Sequence, residues 1–162
     1  MASWTLITGA SEGLGVDFAR IAAKEKRNVI LAARSTDKLE KVAEQVRSLG
    51  VEAVVIPADL SDMDEVDRLW SAASDGRDID VLVNNAGLGS NGAFNEGQYW
   101  SRELSSITVN MLALTRLMKL AIPHMHGLEK GRILNVASVA AFTPGPNMAV
   151  YHATKAYVLS LS

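Results

Sequence analysis

The chain has 162 residues, enough for one domain with a substantial core, and its 48% hydrophobic and 21% charged residues are ordinary for a globular protein. A formal charge of −2 gives no electrostatic reason to expect nucleic acid or an anionic membrane as partner. With no cysteine, disulfides, thiolate nucleophiles and zinc–cysteine sites are excluded. The first apolar run begins at Trp4, which leaves no room for a signal peptide before it, and no stretch approaches the roughly eighteen apolar residues of a membrane helix. The expectation is one soluble, cytoplasmic domain over residues 1–162 with no metal site.

Trp4–Thr8 (WTLIT) predicts a first strand, and TGASEGLG follows at Thr8–Gly15. Glycines at 9, 13 and 15 permit unusual backbone angles and let a phosphate-bearing ligand approach the main chain. A helix starting near Gly13 then offers free N–H groups and a positive dipole end. The spacing is not G-x-G-x-x-G, so only general nucleotide-binding logic applies, and a glycine-rich structural turn is the alternative. Asn28–Ala33 (NVILAA) predicts a second strand that runs into Arg34, with no carboxylate before Asp37. A dinucleotide site places here an acidic residue for a ribose 2′-OH or an arginine for a 2′-phosphate. Arg34 can pair with phosphate and stack on adenine, which favours NADP(H) over NAD(H); a solvated arginine at a helix start is the other reading.

Leu39, Val42, Ala43, Val46 and Leu49 recur at helical spacing, with Gly50 placed to end that helix. Glu52–Pro57 (EAVVIP) predicts the third strand, leading to Ala58-Asp59-Leu60, where Asp59 accepts from an adenine amino group or opens the next helix. Ser61 and Asp64 resemble a capping box. Asp80–Asn84 (DVLVN) predicts the fourth strand, ending in Asn84-Asn85-Ala86-Gly87, asparagines that either hold strands together or contact a ligand. Leu104, Ile107, Met111, Leu114 and Met118 predict a long fourth helix that Pro123 bends or ends. Trp70 and Trp100 are expected to pack, and His124 and His126 to lie on the surface.

Arg132–Ala137 (RILNVA) predicts a fifth strand ending at Ser138, and a final helix starts near Val150. Tyr151 and Lys155 share a face of that helix, one turn apart. A free phenol, with a pKa of about 10, is a poor acid–base catalyst at neutral pH, and lowering it by about three units requires about 4 kcal/mol. An ammonium about 4 Å away in an effective dielectric of about 20 supplies about that much. Y-x-x-x-K alone arises often by chance; its place after the fifth strand and Ser138 gives it weight. Five β–α units in a row predict a parallel, doubly wound, Rossmann-like α/β sheet with ligands beyond the carboxyl ends of its strands.

Taken together, Thr8-Gly9-x-x-x-Gly13-x-Gly15, Asp59, Asn84-Asn85-Ala86-Gly87, Asn110, Ser138 and Tyr151-x-x-x-Lys155 resemble the short-chain dehydrogenase/reductase family of the Tyr-x-x-x-Lys type. The resemblance covers nearly the whole chain. It implies strand order 3-2-1-4-5 with helices on both faces, and hydride transfer between NADP(H) and a carbonyl or secondary alcohol. Tyr151 would exchange a proton with the substrate oxygen, Lys155 would assist Tyr151 and hold the nicotinamide ribose, and Ser138 would orient the carbonyl. Asn110 would support a water chain behind Lys155. Thr8, Gly9, Gly13, Leu14 and Gly15 would form the phosphate turn, and Asp59, Leu60, Asn85, Ala86 and Gly87 would line the adenosine and ribose side. Ser11 and Arg34 look like 2′-phosphate contacts.

Family members usually continue beyond the position of Ser162 through a sixth strand, a substrate-covering segment and a seventh strand. The resemblance therefore marks the chain as incomplete at its C-terminus, with an exposed fifth-strand edge and a partial substrate wall. A non-catalytic nucleotide-binding or dimerisation module is the alternative function. The apolar loop Val139–Asn147 favours a hydrophobic ketone or alcohol. The family pattern also implies a homodimer or homotetramer through the fourth and final helices.

Overall fold

The computed structural model describes residues 3–162. Each short β-branched run forms a strand: β1 (Ser3–Thr8), β2 (Asn28–Ala33), β3 (Ala53–Pro57), β4 (Asp78–Asn84) and β5 (Arg132–Asn135). They make one parallel sheet in the order β3-β2-β1-β4-β5. The amphipathic stretches form α1 (Leu14–Lys24), α2 (Thr36–Arg47), α3 (Met63–Ser74), α4 (Trp100–Ile107), α5 (Leu114–Gly127) and α6 (Ala149–Leu161). Among the described residues no helix is long and apolar enough to cross a membrane.

The two-residue side-chain period of the strands feeds two cores. Leu6, Ile30 and Leu82 face α3 and the helical run containing Val109, Leu117 and Met125. Their neighbours Ile7, Leu31 and Val83 face α1 and α2. The near-continuous apolar runs are thus explained: both faces of the central strands are covered. β1 pairs with β2 on one side and β4 on the other, so chain order reverses there and leaves a crevice at the strand ends. At the far end of β4, burial alone would raise the Asp80 carboxyl, but the Arg27 hydrogen bond and charge, with Lys130 and Ser3, hold it below its ordinary value.

Several local expectations need correction. The fourth helix is two α-helices joined by a π-helical segment, Thr108–Ala113. That wider turn rotates the apolar pattern, so Val109, Ala113, Leu117 and Ala121 are buried while Leu104 on the expected stripe is 46% exposed. Pro123 does not end α5; the helix continues to Gly127 with the proline ring on its exposed side. Asp62, rather than Ser61, caps α3 by accepting from the Asp64 N–H at 2.9 Å. Trp70 packs in the core, whereas Trp100 is 57% exposed. His124 is partly buried: its Nε2 accepts from the Ile79 N–H at 3.1 Å and its ring meets Trp70 edge-on. β5 is one of the two sheet edges, and Leu134 on it is 43% exposed beside an apolar groove shared with Phe18 and Ile21.

Candidate active site

Beyond the carboxyl ends of the strands lies a cleft of about 680 Å³, within the range of small-molecule sites. It runs from Arg34, after β2, past the turn after β1 and the loop after β4, to Ser138, Tyr151 and Lys155. One end is therefore charged and the other carries hydroxyl, phenol and ammonium groups.

The glycine-rich turn is shaped by two positive backbone angles. Gly9 has φ 63°, and a Cβ there would lie 2.9 Å from the Ala86 Cα, so the turn packs directly on the loop after β4. Gly13 has φ 56° and opens α1, whose first turn has no side-chain cap. A Cβ at Gly13 would meet nothing within 4 Å. An open approach to an uncapped helix N-terminus suits a phosphate. A Cβ on Gly15 would collide with the Gly9 carbonyl, so this glycine serves the close packing of α1 on the turn.

Thr8 does not face the cleft. Its buried Oγ1 accepts the N–H groups of Asn85 and Ala86 at 3.1 and 3.0 Å and donates to the Val83 carbonyl at 3.4 Å. Asn85 returns the tie, donating through Nδ2 to the carbonyls of Thr8 and Gly9 at 3.0 and 3.1 Å. Asn84 donates to Asn135 at 2.9 Å and so joins β4 to β5. The asparagine pair thus holds strands together, while Asn85, Ala86 and Gly87 also line the cleft.

Ser11, Leu14, Arg34, Asp59 and Leu60 all line the cleft as expected. Asp59 Oδ1 accepts from the N–H and hydroxyl of Ser61 at 2.9 and 2.7 Å, in the turn that leads into α3. These bonds to Ser61, with Arg34 nearby, hold the Asp59 carboxyl below its ordinary value. Arg34 makes no hydrogen bond or ion pair among the described residues.

At the other end, Lys155 is only 5% exposed, and its Nζ donates to the Val136 carbonyl at 2.8 Å. No carboxylate pairs with it among the described residues, and burial pushes its pKa below the usual lysine value. Two ammonium hydrogens remain for a ligand. Nζ sits 6.0 Å from the centre of the Tyr151 ring, and the Tyr151 hydroxyl has no partner among the described residues. Ser138 Oγ accepts from the Ala140 N–H at 3.2 Å, leaving its O–H free to donate.

Asn110 sits in the π-helical segment, 1% exposed. Its Oδ1 accepts from the Leu88 N–H at 2.8 Å, and Nδ2 donates to the Leu88 carbonyl at 3.0 Å and to Thr154 Oγ1 at 2.9 Å. The side chain expected to support a water chain is thus engaged by protein, fixing the loop after β4 against the helix that bears Tyr151 and Lys155. Sequence reasoning missed Glu12, Ser35, Lys38 and Met148 in the cleft wall. Lys38 follows Arg34 by four residues and lies in the first turn of the helix that opens after it.

Comparison with known proteins fits this geometry. A family model described as short chain dehydrogenase matches residues 3–162. A ketoacyl reductase, HetN, of Nostoc sp. (strain PCC 7120) is 40% identical over 93% of this chain and 53% of its own. A very-long-chain 3-oxoacyl-CoA reductase of Anas platyrhynchos is 32% identical over 98% of this chain and 52% of its own. Among solved structures, a short-chain dehydrogenase from Sphingobium yanoikuyae in complex with NADPH is 34% identical, with TM-score 0.89 over 100% of this chain and 63% of that one. The chain thus spans about half the length of the curated relatives it matches. With the sheet order, the crevice and the family match in agreement, the chain belongs to the short-chain dehydrogenase family.

Proposed function

We propose that the cleft serves an NADP(H)-dependent oxidoreductase acting on a carbonyl or secondary alcohol, with Tyr151 as general acid and base. The observation that carries this reading is the buried, carboxylate-free ammonium of Lys155 in one cleft with the unpartnered hydroxyl of Tyr151. The dinucleotide, when bound, supplies or accepts the hydride. For reduction, the Ser138 O–H donates to the substrate oxygen and orients the carbonyl. The Tyr151 hydroxyl passes its proton to that oxygen as negative charge builds there. The positive charge of Lys155 favours the resulting phenolate, and its remaining N–H groups hold a ribose. Arg34 and Ser11 meet a 2′-phosphate, and the open turn at Gly13 meets the pyrophosphate.

A hydrophobic substrate fits best. Val139 and Phe142, just past Ser138, are 87% and 72% exposed, an apolar rim beside the reacting groups. The names of the two relatives, both 3-oxoacyl or ketoacyl reductases, point the same way. The reading extends to a homo-oligomer: Trp100, Leu104, Leu112 and Ile122 leave apolar surface exposed along α4, the π-helical segment and α5. The test is reduction of a long-chain 3-oxoacyl thioester followed by NADPH absorbance, with NADPH binding followed by tryptophan fluorescence. Tyr151→Phe should lose about 10²–10⁴ in rate and keep dinucleotide affinity. A Tyr151→Phe variant that turns over at the parent rate would sink the assignment.

A further inference from the structure

The charged end of the cleft contains an ion pair that the hydride-transfer reading leaves unused. Lys38 lies in the first turn of α2, Arg34 in the short connection between β2 and α2, and both side chains line the cleft. Glu12, in the turn between β1 and α1, reaches across to it, with Lys38 Nζ 3.0 Å from Glu12 Oε2. The bridge therefore straps the glycine-rich turn to the start of α2, just after Arg34.

We infer that Lys38, drawn from Glu12 by the ligand, is a second cation for the 2′-phosphate of NADP(H), and that Glu12 tempers how strongly the chain prefers the phosphorylated dinucleotide. The inference rests on the nicotinamide reading above. The bridge is open to exchange because its two side chains are 58% and 76% exposed, and exposed pairs are held weakly. A phosphate monoester carries about −1.5 to −2 charges near neutral pH against the single charge of a carboxylate, so it competes well for the same ammonium. The local balance also explains why one cation is insufficient. Arg34 and Lys38 share this end of the cleft with Glu12 and Asp59, so the formal charges cancel until the ligand displaces a carboxylate. A dinucleotide with a free 2′-hydroxyl has no reason to break the bridge. Lys38 and Glu12 therefore act on the choice between two cofactors, and with opposite signs.

Titration of the 162-residue chain with NADPH and with NADH, by calorimetry and tryptophan fluorescence, tests this on equilibrium binding alone. Lys38→Gln should weaken NADPH about five- to tenfold and leave NADH within about twofold, and Lys38→Arg should restore the parent value. Glu12→Gln should tighten NADPH about threefold with NADH unchanged. Superimposable circular dichroism and melting curves should accompany these shifts, because both side chains are exposed. If Lys38→Gln binds NADPH as the parent does, or loses both dinucleotides equally, the inference is wrong while the nicotinamide site stands. Parent binding of NADH and NADPH with equal affinity has the same meaning. If the parent binds neither, the inference and the nicotinamide reading fall together.

Discussion

Replacing Lys155 by methionine should stabilise the fold while disabling the chemistry. The residue is 5% exposed, its ammonium makes one hydrogen bond, to the Val136 carbonyl, and no carboxylate pairs with it among the described residues. Burying an unpaired ammonium costs several kcal/mol, and one charge-assisted hydrogen bond returns about 1.5–3 kcal/mol. Methionine keeps most of the apolar stem, removes the charge, and leaves the Val136 carbonyl short of a donor at about 1–2 kcal/mol. The expected balance is a gain of about 1–2 kcal/mol at pH 7, or about 2–8 °C in Tm for a chain of this size. Its pH dependence has a definite sign. Burial lowers the Lys155 pKa in the folded chain, so the unfolded chain binds more protons between that pKa and the ordinary value of about 10.4. Parent stability relative to the variant therefore rises with pH across that window, and the advantage of methionine shrinks. Thermal melts by circular dichroism from pH 7 to pH 10 measure this. A methionine variant that melts below the parent at pH 7, or an advantage that grows with pH, would refute the argument.

Two further perturbations address the scaffold. Thr8→Val keeps the shape but orphans the Asn85 and Ala86 N–H groups, so urea unfolding should show a loss of about 2–4 kcal/mol; Thr8→Ser should retain most of the stability, and equal losses in both variants would contradict the hydrogen-bond account. Asp80→Asn leaves Arg27 without its ion-pair partner and should cost about 3 kcal/mol at pH 7. Because the Asp80 pKa is depressed in the folded chain, its contribution is fully present above the ordinary aspartate value of about 3.9 and is lost as pH falls through the folded value. Parent and variant should therefore converge in acid, and a gap that does not narrow as pH falls below the ordinary aspartate value of about 3.9 would count against the ion pair.

The sheet was legible because β1, β2 and β4 are buried on both faces, which leaves unbroken apolar runs between turn residues, and the edge strand β3 keeps the same composition. β5 was legible from the same composition although its residues are only half-buried or exposed. The reacting groups were legible because Ser138, Tyr151 and Lys155 come from neighbouring segments of the chain. What escaped was contact between distant segments and change of helical period. A stripe at 3.6-residue spacing cannot reveal a π turn, so Leu104 was expected to pack and Asn110 carried no sign of its hydrogen bonds to Leu88, Ser106 and Thr154. Glu12 and Lys38 stand in separate segments, and only folding brings the turn after β1 beside the start of α2.

The cleft draws its two ends from different parts of the sheet: β1 through α2 supply the turn and Arg34, whereas β5 and α6 supply Ser138, Tyr151 and Lys155. A ligand that spans it recognises only the state in which both parts are assembled, so it acts as a reversible crosslink between them. At a hundredfold excess over its Kd such a ligand adds about 2.7 kcal/mol to the unfolding free energy. Resistance to proteolysis then becomes a function of ligand supply, and the lifetime of the chain reports the occupancy of its cleft.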